Sequence, residues 1–143
     1  MFVIFIVPPY SKNIARGIQK SPKIYFFDTA LVSGEGVRFE NLVAISLLKH
    51  IYGCVDVKAE EYTLNYLRTK EGAEVDFALV KKDQVEQIIE AKVSDDTVSK
   101  SLRYFHEKYE YPAVQLVQSL RHERQEQGIE ILKAEKFLSQ LFL

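Results

Sequence analysis

Glu74-Val75-Asp76-Phe77-Ala78-Leu79-Val80, the turn Lys81-Lys82-Asp83, and the run Val85 to Val93 with Ile88-Ile89-Glu90-Ala91-Lys92 near its end decide the fold. Two apolar runs rich in Val and Ile, joined by a short polar turn, predict an antiparallel hairpin. Side chains alternate along a strand, so Asp76 is expected on the face of Glu74, Ala78 and Val80. The same parity puts Glu90 and Lys92 on one face. Apolar residues flank Glu90 on both sides, which predicts a central strand whose charged groups are partly enclosed. Enclosed charges persist where they neutralise one another or hold an ion.

Working outward, Tyr62 to Arg68 reads as a third strand, turned into the hairpin by Lys70-Glu71-Gly72. Before it, Phe39, Leu42, Val43, Leu47 and Ile51 recur at helical spacing and predict a helix from about Val37 to Ile51, ended by Gly53. Glu40 lies in line with Val43, Ala44 and Leu47, so it leans toward the sheet. After the hairpin, Asp95 or Asp96 is expected to cap a helix over Thr97 to Tyr109. A strand at Ala113 to Val117, a loop or short helix at Arg121 to Gln127, a strand at Gly128 to Leu132 and a helix from Ala134 to Phe142 follow. The order from residue 37 is helix, three strands, helix, strand. It predicts an α/β (α+β) layer, a mixed central sheet flanked by helices.

At the start, residues 2–7 and Lys23 to Phe27 are strand-like, with Pro8-Pro9-Tyr10-Ser11-Lys12-Asn13 supplying turn chemistry. They suit an antiparallel ribbon that is apolar on both faces and needs a cover. The opening apolar run stops after seven residues at Pro8, far short of the ~20 a membrane helix needs, so no membrane partner is expected.

The chain has 143 residues, 47% of them hydrophobic, and a net charge of −1, which suits one globular core without a general basic field. The single cysteine, Cys54, excludes an internal disulfide and any multi-cysteine zinc site, and a reducing, cytoplasmic setting is expected. His50, His106 and His122 lack paired metal spacing. Core packing accounts for most of the Tyr and Phe residues, and Lys100, Arg103 and Lys108 suit a solvated helix face.

The chemistry therefore concentrates in the hairpin. Asp76 beside Glu90 would make two carboxylates that repel each other, a conflict a divalent cation resolves. Hard oxygen ligands suit Mg²⁺ or Mn²⁺, and a nearby ammonium, Lys92, suits phosphodiester hydrolysis as a water-orienting or charge-stabilising group. Glu40 would be an accessory acid. The same residues also fit a plain strand face on which Asp76 pairs with Lys92.

Four ordered segments carry a resemblance: Lys20 to Leu31 (KSPKIYFFDTAL), Phe39-Glu40-Asn41-Leu42-Val43, Leu67-Arg68-Thr69 with Gly72 to Phe77, and Ile89-Glu90-Ala91-Lys92. Together they resemble the C-terminal domain of a large family of bacterial and archaeal AAA-type ATPases, a domain similar to PD-(D/E)XK nucleases. The resemblance implies a restriction-endonuclease-like core. It implies that Asp76 and Glu90-Ala91-Lys92 stand at the motif positions, with Glu74-Val75-Asp76 in place of a literal Pro-Asp. Glu40 matches the acid of the first helix, and Arg68 and Glu74 match recurrent supporting positions. It also implies DNA as partner and Mg²⁺ or Mn²⁺ as cofactor.

Family members carry a P-loop ATPase and a winged helix before this domain, whereas these residues contain no G-x-x-x-x-G-K-[ST] and hence no ATP site of that kind. The expected division is residues 1–32 as a β-ribbon left from the winged-helix region and 33–143 as the nuclease-like domain. The chain would be a truncated relative or a fragment of a longer ATPase. The apolar ribbon is expected to fold back on the core or to support a homodimer. Three functional expectations stand: a Mg²⁺-dependent nuclease-like domain acting on DNA, a non-catalytic module of the same fold that binds nucleic acid or protein, or, most plainly, a folded inactive remnant.

Overall fold

Near-continuous apolar runs over the central hairpin build a sheet with two covered faces. The structure, a computed structural model, describes residues 3–11 and 21–141. The expected turn residues Lys12 and Asn13, Lys20 of the first resemblance segment, Phe2 and Phe142 lie outside them. Strands β1 (Ile4–Val7) and β2 (Lys23–Phe26) pair antiparallel as a ribbon. Helix α1 (Glu35–Lys58) leads into β3 (Tyr62–Arg68), β4 (Glu74–Lys81) and β5 (Gln84–Lys92). Helix α2 (Lys100–Tyr109), β6 (Ala113–Val117), β7 (Arg124–Glu126), β8 (Ile129–Lys133) and α3 (Ala134–Ser139) complete the order.

The main sheet runs β3-β4-β5-β6-β8-β7. The three strands β3 to β5 are antiparallel neighbours, and β6 lies parallel to β5 and to β8. The sheet is therefore mixed and β5 is internal, as its apolar flanks require. One core lies between the sheet and α1, where Leu47, Tyr66, Phe77 and Ile89 meet Val7 and Tyr25 of the ribbon. The other lies under α2, where Leu102 and Phe105 meet Ala78, Val80 and Ile88. Full burial of a Phe77- or Ile89-sized side chain contributes about 1.5–3 kcal/mol.

The ribbon folds back on the core. Tyr10 donates its amide to the Tyr66 carbonyl and Tyr66 donates to the Pro8 carbonyl, so the chain after β1 covers the outer edge of β3. Asn41, buried in α1, clamps β2: it accepts from the Phe26 amide at 2.9 Å and donates to the Phe26 carbonyl at 2.7 Å. A side-chain amide thus satisfies backbone groups that have no strand partner on that side.

Four local expectations change. Helix α1 does not stop at Gly53 but continues to Lys58, because Cys54 is buried against the core and Ala59 supplies the left-handed cap at φ 53°. Helix α2 is capped by Ser99, whose Oγ accepts from Leu102, while Asp95 closes a turn on the Thr97 amide and Asp96 receives Arg124. Residues 124–126 form an edge strand on β8 rather than a loop or helix. Asp76 leaves the face of Ala78 and Val80. The β3–β4 register slips between Asn65 and Leu67, so Asp76 and Phe77 together stand opposite Tyr66, and the bulge turns Asp76 to the α1 side.

Candidate functional site

The β4–β5 ladder pairs Phe77 with Ile89 and goes no further toward the start of β4. There the strands part, and carboxylates take over the freed donors. The Asp76 amide donates to Glu90 Oε2 at 3.3 Å, and the Ala91 amide donates to Asp76 Oδ2 at 3.0 Å. Asp76 and Glu90 are thereby locked side by side at the end of the sheet, a geometry the adjacent hairpin strands predict. Glu90 is buried, and its other oxygen, Oε1, lies 3.1 Å from Lys92 Nζ. Lys92 pairs with Glu90 rather than with Asp76, so the plain-face alternative is not the arrangement adopted.

A residue that pattern reading left in the ribbon completes the cluster. Lys23 Nζ lies 3.3 Å from Glu40 Oε1, 2.9 Å from Glu74 Oε1 and 3.4 Å from Asp76 Oδ1. Tyr25, two residues on and therefore on the same face of β2, donates to Glu40 Oε1 at 2.7 Å. The Asn41 clamp on Phe26 holds β2 where these two side chains reach the acids. The available signal was the parity Lys23-Ile24-Tyr25, a cation inside an otherwise apolar strand that needs a cover. Arg68 stands at the rim, its Nε 4.0 Å from Glu74 Oε2.

All six predicted residues, Glu40, Arg68, Glu74, Asp76, Glu90 and Lys92, therefore fall within one cluster. With every acid ionised, four carboxylates would face two ammoniums, Lys23 and Lys92, an excess of two negative charges before the rim arginine is counted. Burial, then the Glu90 and Glu40 charges, push the Asp76 carboxyl up to about 7, and Lys23 and the Ala91 amide offset only part of this. Burial also raises Glu90, against the opposing pull of Lys92. Desolvation works against the Lys92 ammonium, but Glu90 outweighs it and the group is held above its ordinary value. Lys23 is raised in the same way, its burial overcome by Asp76, Glu40 and Glu74.

The donor set suits a hard cation. Oxygens of Glu40, Glu74 and Asp76 converge on one positive charge, and that charge is the Lys23 ammonium. Among the described residues no three acidic, histidine or cysteine side chains form a ready metal cage. An ion at this place would share the acids with Lys23 or displace it.

Gln115, which the sequence reading passed over, is fully buried on β6 and fixes the neighbouring loop. It accepts from the Ser99 amide and donates to the carbonyls of Asp95 and Thr97. This seats the first turn of α2, where Ser101 Oγ accepts from the Glu74 amide at 3.3 Å. The three histidines stand apart from the cluster: His50 lies beside Cys54 and His106 against the Tyr111 carbonyl, while His122 is exposed. No helix of the described residues is long and apolar enough to cross a membrane.

No curated protein and no solved structure shows a significant match to this chain. A family model does, over residues 35–137, from the start of α1 into α3. That span includes every acid of the cluster and Lys92 but leaves Lys23 and Tyr25 before it. Matched over most of its length, the chain belongs to the family described as a domain of unknown function, DUF4143.

Proposed function

We propose that this chain hydrolyses phosphodiester bonds of DNA in a reaction dependent on Mg²⁺ or Mn²⁺, as the resemblance to PD-(D/E)XK nucleases implies. The observation that carries the reading is the Asp76–Glu90 pair, held side by side where β4 and β5 part, in a cluster of four carboxylates. Asp76 and Glu90 would hold the cation, with Glu40 as the accessory acid. When bound, such an ion polarises a phosphate oxygen and lowers the pKa of water.

The chain's own groups divide the remaining work. Lys92 is about one-third exposed and stays charged, so its part is to stabilise negative charge developing on the phosphate, not to take a proton. Glu90 orients Lys92 through their 3.1 Å pair. Glu74 and Arg68 tie the rim to the cluster, and Tyr25 fixes the rotamer of Glu40.

A second reading has one observation in its favour: Lys23 already supplies a positive charge to three of the acids. A non-catalytic module of the same fold, binding nucleic acid or a partner, would need no ion there. Calorimetric titration with Mn²⁺ and with Mg²⁺, alone and with a DNA oligonucleotide present, separates the two. Saturable binding that disappears in the Asp76→Ala, Glu90→Ala double variant supports the enzyme. No binding in any arm supports the module.

A further inference from the structure

Tyrosines collect beside the acid cluster, on the α2 side of the sheet. A cleft of about 650 Å³ opens between α2 and the turn after β3, with Tyr10 at its edge. Phe105, Tyr109 and Tyr111 form a column of near-parallel rings. Phe105 and Tyr109 centroids are 6.0 Å apart at 23°, and those of Tyr109 and Tyr111 are 5.3 Å apart at 14°. Phe105 is core, but Tyr104 is 38% and Tyr109 45% exposed, so packing does not account for the outer rings. Lys108 Nζ lies 5.3 Å from the Tyr104 centroid and 5.4 Å from that of Tyr109, coating aromatic faces that would otherwise meet water.

The cations of the cleft are Arg68, Lys70 and Lys108, against one lining carboxylate, Glu71. A positive lining beside half-exposed rings, with the exposed Lys108 side chain as their displaceable cover, suits a polyanion that also carries flat apolar groups. An acidic peptide satisfies only the charge. A duplex hides its base faces, and a chain of net charge −1 offers it no general excess of positive charge. Unpaired nucleotides satisfy both demands, because every base has a face that stacks and every link a phosphate.

The cleft and the acids share structure. Arg68 lines the cleft while its Nε approaches Glu74, and Glu74 holds Lys23 with its other oxygen. The Glu74 amide is bonded to Ser101 in α2, the helix that forms the aromatic wall. We infer that this cleft binds single-stranded nucleic acid, with a base displacing Lys108 from the Tyr104 and Tyr109 rings and phosphates held by Arg68, Lys70 and the released Lys108. The inference rests on the proposed hydrolysis only for the fate of the strand, which would pass from the cleft to Asp76 and Glu90.

Binding is tested without cleavage, in EDTA, by fluorescence anisotropy of the whole chain with a labelled oligo-dT of about 15 nucleotides. Saturable binding is expected, weakened by rising salt and several-fold tighter than for a duplex of equal length. Tyr109→Ala and the exposed-charge variant Lys108→Glu should each weaken it roughly tenfold, with circular dichroism confirming that both fold. The Asp76→Ala, Glu90→Ala variant should bind as tightly or tighter, so failure of the hydrolytic reading leaves this result standing. Absence of oligo-dT binding, a duplex bound as tightly, or full binding by folded Tyr109→Ala and Lys108→Glu would overturn the inference.

Discussion

The Asp76 amide donates to Glu90 Oε2 at 3.3 Å across two strands that have already ceased to pair. The reciprocal bond, from the Ala91 amide to Asp76 Oδ2, closes the exchange. Two carboxylates that would repel each other are held together because each accepts a backbone donor that the parted strands leave open.

Lys23→Met removes the one ammonium shared by Glu40, Glu74 and Asp76. The metal-free variant should lose about 2–3 kcal/mol in urea denaturation, since partly buried acids lose their partner. Mn²⁺ should then bind more tightly by roughly tenfold or more, because like charges a few ångströms apart repel by several kcal/mol even at an effective dielectric near 20. Calorimetry on the parent and variant checks both the sign and the size.

Stability of the metal-free protein should fall as pH rises from about 4 to about 7 across the Asp76 titration. The folded carboxyl sits at about 7 against an ordinary 3.8, so the folded state holds a proton that the unfolded state has released. The contribution is fully present below pH 4 and lost as pH rises through 7. Asp76→Asn should flatten this part of the profile, as urea midpoints measured across the range will show.

Gln115→Leu should cost about 3 kcal/mol, more than loss of hydrophobic contact explains. The substitution leaves the Ser99 amide and the Asp95 and Thr97 carbonyls without their buried partner. Denaturant midpoints measure the loss. Hydrogen exchange should show the first turn of α2 opening before the sheet.

Much of the fold was legible because its strongest signals are local. Apolar runs bounded by turn residues mark β3 to β6, and helical spacing marks α1 and leans Glu40 inward. Asp76 stands off the face that alternation predicts, because a bulge formed on pairing with β3 is not written in the period of β4 itself. Lys23 was missed as a site residue for a related reason: its role depends on Asn41 docking β2 against α1, a contact between segments 15 residues apart. Strand β7, written in Arg124-Gln125-Glu126, has no apolar signal and exists only through pairing with β8. The exposure of Tyr104 and Tyr109 has no local signal, because it depends on which side of α2 packs against the sheet.

Cleavage of labelled single-stranded and duplex DNA with Mn²⁺ or Mg²⁺, compared between the parent and Asp76→Ala, Glu90→Gln and Lys92→Ala, tests the hydrolytic role of the acid pair. Hydrolysis is predicted in the parent only with a divalent ion, abolished in the two acid variants and reduced about 10²–10³-fold in Lys92→Ala. Cleavage that survives Asp76→Ala and Glu90→Gln, or a folded parent that binds DNA and Mn²⁺ yet cuts neither substrate, would contradict it.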